Sequence, residues 1–259
     1  NRIKTWAWET FYLVQGVAAW IIMPLIAALF ATPHLIKVYS NSPPSVLLLT
    51  FILGILWGIG ALTFGLSMRY LGLSLGYAIA LGVCAAVGTL APSVMEGKFL
   101  SMLTQWPDMV VAIGVLFSLL GIGICGLAGM KKEKELTDEE KKESVKEFHL
   151  VKGLIVAIVS GIMASCFAIG LSAGKEIADT AVQFGASDLY KNNTVFLVIT
   201  IAGFFTNLAW CLFLSFKNKT IKDYISGSTS TLSRNYLLSF FGGTLWYAQF
   251  FFYGMGITK

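Results

Sequence analysis

Long apolar runs broken by short polar stretches dominate the chain. Seven of them, near residues 10–31, 45–68, 71–94, 108–130, 151–173, 194–216 and 235–256, extend for about 20 residues. A helix rising about 1.5 Å per residue needs that length to cross the ~30 Å hydrocarbon layer of a bilayer. The pattern predicts an all-α membrane protein with seven spanning helices. The first run is too long for a signal peptide and has no small-residue cleavage site behind it.

Composition agrees: 56% of the 259 residues are hydrophobic and 13% are charged, against about 25% charged in soluble domains. The net charge of +5 does not call for a nucleic-acid partner. With alternate flanks assigned to opposite sides, one side (before 10, 69–70, 131–152 and 217–234) collects 14 of the 19 Lys and Arg. That bias marks it as cytoplasmic. The segment 131–152 balances seven Lys against seven acids and reads as a solvated linker. Cys84, Cys125, Cys166 and Cys211 each lie in a different apolar run, without CxxC or Cys/His spacing. They are expected as small core residues, and neither a metal site nor a cofactor is indicated.

Internal repetition carries more information. Gly54, Leu56, Trp57 and Gly65 match Gly243, Leu245, Trp246 and Gly254 at an offset of 189, and Thr10, Leu13 and Val14 match Thr194, Leu197 and Val198 at 184. Spans one and two thus echo spans six and seven, which makes the repeat unit five helices. An odd unit inverts the second copy. The expectation is a ten-helix inverted five-plus-five repeat, with seven helices present and one before Asn1 and two after Lys259 lying outside the sequence. The halves fall at 1–130 and 151–259, joined by a charged cytoplasmic linker over 131–150.

Small residues suit close packing: Gly54 with Gly58, Gly72 with Gly76, and the ridge Ser160, Ala164, Ala168, Ser172. On a helix, Gly242, Trp246, Gln249, Tyr253 and Gly256 share a face, and the matching face of span two carries Trp57, Phe64 and Ser67. Aromatic faces with an amide between them suit a neutral polyol, whose apolar ring face stacks while its hydroxyls meet amides. Such a polyol is expected between the Trp57 and Trp246 faces. Gln15 and Asn207 are further mid-span amides, either substrate contacts or glue between helices. Among ionisable groups Glu9 is the candidate proton carrier, since a carrier needs a carboxyl that burial can protonate. A dipole partner or solvated helix end is the alternative for Glu9. Arg69 reads as a snorkelling anchor.

The stretches "KTWAWET", "LWGIG…FGLSMRYLGLSLGYAIALG…VGTLAP" and "GGTLWYAQFFFYGMG" resemble the L-rhamnose/proton symporters, a branch of the drug/metabolite transporter superfamily. The resemblance implies ten helices in two inverted halves and uptake of sugar with a proton across a bacterial inner membrane. Its motif residues here are Trp8, Glu9, Trp57, Arg69, Trp246 and Gln249. Lys175 stands where members carry a Lys after this span, a second candidate for proton coupling. The chain departs at Ala61 and Thr63, where some members have Asn. The partners implied are a small sugar, a proton and membrane lipid. The rival reading is an exporter of drugs or metabolites from the same superfamily. An enzyme is disfavoured: there is no HExxH and no acid pair at membrane depth, and both histidines, His34 and His149, fall in loops.

Overall fold

The computed structural model describes residue 3 and residues 5–95, 97, 99–100, 104–135 and 149–258. The expected linker over 131–150 lies outside the described residues from 136 to 148. All regular structure among the described residues is helical. In chain order the helices are α1 (Trp8–Ala31), α2 (Leu35–Asn41), α3 (Pro44–Leu71), α4 (Leu73–Met95), α5 (Trp106–Glu135), α6 (Leu150–Ala173), α7 (Lys175–Gln183), α8 (Asn193–Lys217) and α9 (Thr229–Ile257).

The breaks follow from local chemistry. Thr32 precedes Pro33 and Ser42 precedes Pro43; both are extended and end their helices, as the residue before a proline is pushed out of the helical region. Pro44 opens α3, where its missing N–H costs nothing. Gly72 separates α3 from α4 at φ +80, and its N–H donates to Met68 O at 2.9 Å. The Gly72/Gly76 pair expected as a packing ridge is therefore a turn glycine followed by a close approach to Met68.

Among the described residues six helical stretches are long and apolar enough to cross a membrane: Trp8–Ala31, Pro44–Leu71, Leu73–Met95, Trp106–Ala128, Leu150–Gln183 and Asp188–Lys217. The seventh expected span, 235–256, is helical within α9 but is not among these six. Its length suffices; Asn235, Trp246, Tyr247 and Gln249 lower its hydropathy. This is a multi-pass helical membrane protein.

Two compact units divide the chain: residues 1–58 with 173–259, and residues 59–172. In the second unit α4 packs along α5. The ridge foreseen on α6 is in use there. Ser160 Oγ donates to Gly60 O at 3.0 Å, and a Cβ on Gly60 would stand 2.6 Å from Ala164 N. His149 N–H donates to Tyr70 O at 3.2 Å and the Lys152 ammonium lies 4.7 Å over the Tyr70 ring. These flanks were assigned to the same side of the membrane from charge.

In the first unit α1 packs on α8 and α9, and two close crossings, α3 on α8 and α9 on α1, form a pair. A Cβ on Gly54 would stand 2.6 Å from Ile199 O and 2.7 Å from Ala202 Cβ; one on Gly243 would stand 2.5 Å from Gln15 O and 2.8 Å from Ala18 Cβ. Gly54 and Gly243 are 189 apart, and Gln15 and Ile199, like Ala18 and Ala202, are 184 apart. The offsets read from sequence thus relate two crossings contact by contact.

After α8 the chain turns through Lys219, which is left-handed at φ 59, while Thr220 N–H donates to Ser215 O at 3.0 Å. This is the helix-ending position that glycine favours. Lys219→Gly is expected to stabilise the protein by about 0.5–1 kcal/mol, since the left-handed strain exceeds the added chain entropy. A thermal melt in detergent checks it; an unchanged or lower midpoint removes the strain from the account.

Candidate functional site

The aromatic part of the site is assembled in the first unit. Trp57 on α3 and Trp246 on α9 meet with ring centroids 6.1 Å apart and planes 33° apart. Two residues not foreseen complete the cluster. Trp20 stands edge-on to Trp57 at 6.0 Å and to Trp246 at 5.7 Å, and Phe250 packs on Trp246 at 4.8 Å. The expected gap between Trp57 and Trp246 is not there. A sugar ring between them needs two van der Waals layers, about 7–8 Å, and the rings instead touch each other. Trp57 is 7% exposed and Trp246 is half-buried, while Gln249 and Tyr253 are exposed.

Trp20 owes its place to a widened turn. Residues 18–22 form a π-helical turn, closed by Met23 N–H donating to Ala18 O. Pro24 follows Trp20 by four, so it has no N–H to offer the Trp20 carbonyl and its ring crowds that carbonyl; the helix widens in response. The spacing of Trp20 and Pro24 was the available signal. The Trp20 ring edge at Cε3 and Cζ3 lies against Gly16, and its buried Nε1 has no acceptor among the described residues.

The remaining polar candidates divide. Asn207 is 1% exposed; its Nδ2 donates to Gly203 O at 2.8 Å and Gly58 O at 3.5 Å, tying α8 to α3 one turn from Trp57. Its Oδ1 has no donor among the described residues. Gln15 is half-buried, with its own carbonyl under Gly243. Phe64 belongs to the second unit, where it stands edge-on to Tyr77 at 4.8 Å. Lys175 opens α7 and pairs with Asp179 at 2.6 Å, at 71% side-chain exposure.

Glu9 is not a solvated helix end. It is 4% exposed, and its Oε1 accepts from Asn218 Nδ2 at 2.9 Å and Thr220 Oγ1 at 2.8 Å. Both donors are neutral, and among the described residues no cation pairs with it. Asp223 caps the same helix: its Oδ2 accepts from Ala7 N–H at 2.8 Å and from Thr10 Oγ1 at 3.3 Å. Ala7 has no side chain able to cap, so a residue more than 200 positions later supplies the acceptor that the helix start requires. Trp6 stands edge-on to Tyr236 at 4.8 Å. Residues 6–10 and 215–236 thus form one knot, at the end that charge assigns to the cytoplasm.

Spanning helices, an aromatic cluster at membrane depth and a buried carboxylate held by neutral donors define a membrane carrier rather than a soluble binder. The sequence profile of the L-rhamnose-proton symport protein family (RhaT) matches residues 1–259, and this chain belongs to that family. Similar proteins include the L-rhamnose-proton symporter of Escherichia coli, 35% identical over 99% of this chain and 74% of the relative. That of Citrobacter koseri is 35% identical over 100% and 74%, and that of Klebsiella pneumoniae 35% over 99% and 74%. No solved structure matches the chain significantly.

Proposed function

We propose that this protein carries L-rhamnose, or a close deoxy sugar, together with a proton into the cell across the bacterial inner membrane. Family membership over the whole chain supports both the sugar and the proton, and Glu9, buried and with no cation against it among the described residues, is the carboxyl that carries the proton in this reading. The relatives are named as symporters, so transport rather than catalysis is the activity.

The fold behind this reading is a ten-helix inverted five-plus-five repeat of the drug/metabolite transporter type. Its halves are 1–130 and 151–259, joined by the linker 131–150. The paired crossings of Gly54 and Gly243 support it, because a pseudo-two-fold axis repeats contacts as well as residues. The halves alternate access around a midplane site. Sugar lies against the accessible edge of the aromatic cluster, on Trp246, Gln249 and Tyr253, with Trp57 and Trp20 packed behind. Stacking fixes the ring face and the Gln249 amide meets hydroxyls. Coupling follows if the protonated carrier binds sugar more tightly than the deprotonated one.

Labelled L-rhamnose uptake in cells tests the reading. Gln249→Leu keeps the side-chain size and removes the amide, and is expected to raise the apparent KM about tenfold, the equivalent of one lost hydrogen bond to a hydroxyl. Wild-type kinetics in this variant would take Gln249 out of the site.

A further inference from the structure

Each of the two paired crossings has an apolar groove beside it. One lies between α1 and α9, lined by Val14, Val17, Tyr236, Leu237 and Phe240, and holds about 410 Å³. The other runs along α3 and α8 and holds about 510 Å³. Every lining residue of the first has its counterpart in the second: Val198 and Ile201 at the offset of 184, Leu47, Leu48 and Phe51 at 189. Both grooves belong to the first unit. Hollows left by chance at a helix surface would not share their lining residue for residue.

Neither groove suits sugar or water. The hydroxyls among their lining residues are spent, Tyr236 OH on Tyr224 O at 3.0 Å and Tyr39 OH on Thr194 O at 2.9 Å, and a hollow without polar partners stays dry. Left empty, it forfeits the dispersion contacts of its walls. On helices that cross a bilayer, a hydrocarbon chain fills such a space. Charge then separates the two grooves. Arg234 stands one turn before Leu237 on α9 and is exposed, whereas Ser45 holds the matching place, 189 residues earlier, on α3. Lys217, Lys219 and Lys222 are exposed at the same end as Arg234, and among the described residues no carboxylate pairs with any of the four. Phe240 lies six residues past Arg234, and Val14 six past the start of α1. Both helices therefore set the groove about 9 Å inside their cytoplasmic end, where headgroups give way to hydrocarbon. The edge-on pair of Trp6 and Tyr236 is of the kind that sits at that level.

We propose that the α1–α9 groove binds one anionic phospholipid of the cytoplasmic leaflet, with an acyl chain along Val14, Val17 and Phe240 and the phosphate at Arg234. The guanidinium fork matches phosphate oxygens, and the three lysines draw the anionic headgroup to this face. Phe240 is one turn from Gly243, so the chain lies against the close crossing of α9 on α1 and completes its packing. The site is separate from Gln249 and Tyr253.

The test counts lipid and does not depend on transport. The full-length protein, purified in mild detergent, is titrated with phosphatidylglycerol and separately with phosphatidylcholine, and bound lipid is read by native mass spectrometry. The expected result is one phosphatidylglycerol bound about fivefold more tightly than phosphatidylcholine, the contribution of one cation near an anionic headgroup. Arg234→Gln brings the two lipids level; the residue is exposed, so this variant folds. Val17→Trp fills the groove and removes the tight site for both lipids. Ile201→Trp, the matching change in the other groove, keeps the fivefold preference. Undiminished preference in Arg234→Gln, or wild-type retention in Val17→Trp, overturns the proposal. So does a Val17→Trp protein that shifts from dimer to monomer with lipid binding undisturbed, since the groove would then hold a second copy of the chain.

Discussion

Glu9→Gln abolishes accumulation of L-rhamnose against a gradient while leaving exchange of the sugar in place. The substitution is nearly isosteric, and its amide oxygen can still accept from Asn218 Nδ2 and Thr220 Oγ1, the two donors that hold Glu9 at 2.9 and 2.8 Å. Hydrogen bonds to a charged group exceed those to a neutral one by about 1 kcal/mol, so the variant still folds. What it loses is the proton. At one proton per sugar, each pH unit across the membrane supplies about 1.4 kcal/mol, a tenfold concentration ratio. With the site fixed in a neutral form that gain vanishes, and the internal level of sugar stops at the external one. Steady-state accumulation at two imposed pH gradients is the measurement. A variant that still concentrates rhamnose in proportion to the gradient moves the coupling group elsewhere, with Lys175 the next candidate.

The second large effect is structural. Gly243→Leu, or Gly54→Leu, removes the folded protein from the membrane. At both glycines the first added atom already collides with a backbone carbonyl, that of Gln15 or of Ile199, at 2.5 and 2.6 Å. A backbone on a packed helix cannot step aside as a flexible side chain can, so the helices must part. Overpacking costs about 1–3 kcal/mol even where neighbours adjust, and these crossings bring together the helices that carry Trp57, Trp246 and Trp20. Gly65→Leu is the control, because nothing among the described residues lies within 4 Å of a Cβ there. Expression and monodispersity after detergent extraction read the outcome. Equal tolerance at 54, 243 and 65 contradicts the close crossings.

Much of the helical layout is legible in the pattern, since a membrane forces every span to be apolar and hydrogen-bonded within itself. The partial exception is α9. Its Trp246 and Gln249, which the proposed site uses, lower its hydropathy, and the same residues made it the informative segment. The short helices α2 and α7 left no such trace, being only 7 and 9 residues long. The nearness of Trp57 and Trp246 had a signal in the 189-residue offset that matches them in sequence, but a gap for sugar was expected where the two rings meet. Trp20 was not visible, because its position depends on a turn widened by Pro24. The surroundings of Glu9 were hidden for a different reason. Asn218, Thr220 and Asp223 lie more than 200 residues away and look like ordinary loop polars until the chain folds. A buried carboxylate and a solvated helix end read alike in sequence; only the fold tells them apart.

The account stands most directly on movement of protons with sugar. The measurement is external pH in lightly buffered, de-energised cells expressing the protein, before and after adding L-rhamnose. The expected result is prompt alkalinisation with L-rhamnose and none with unrelated sugars. Uptake of labelled rhamnose with no change in pH would contradict it.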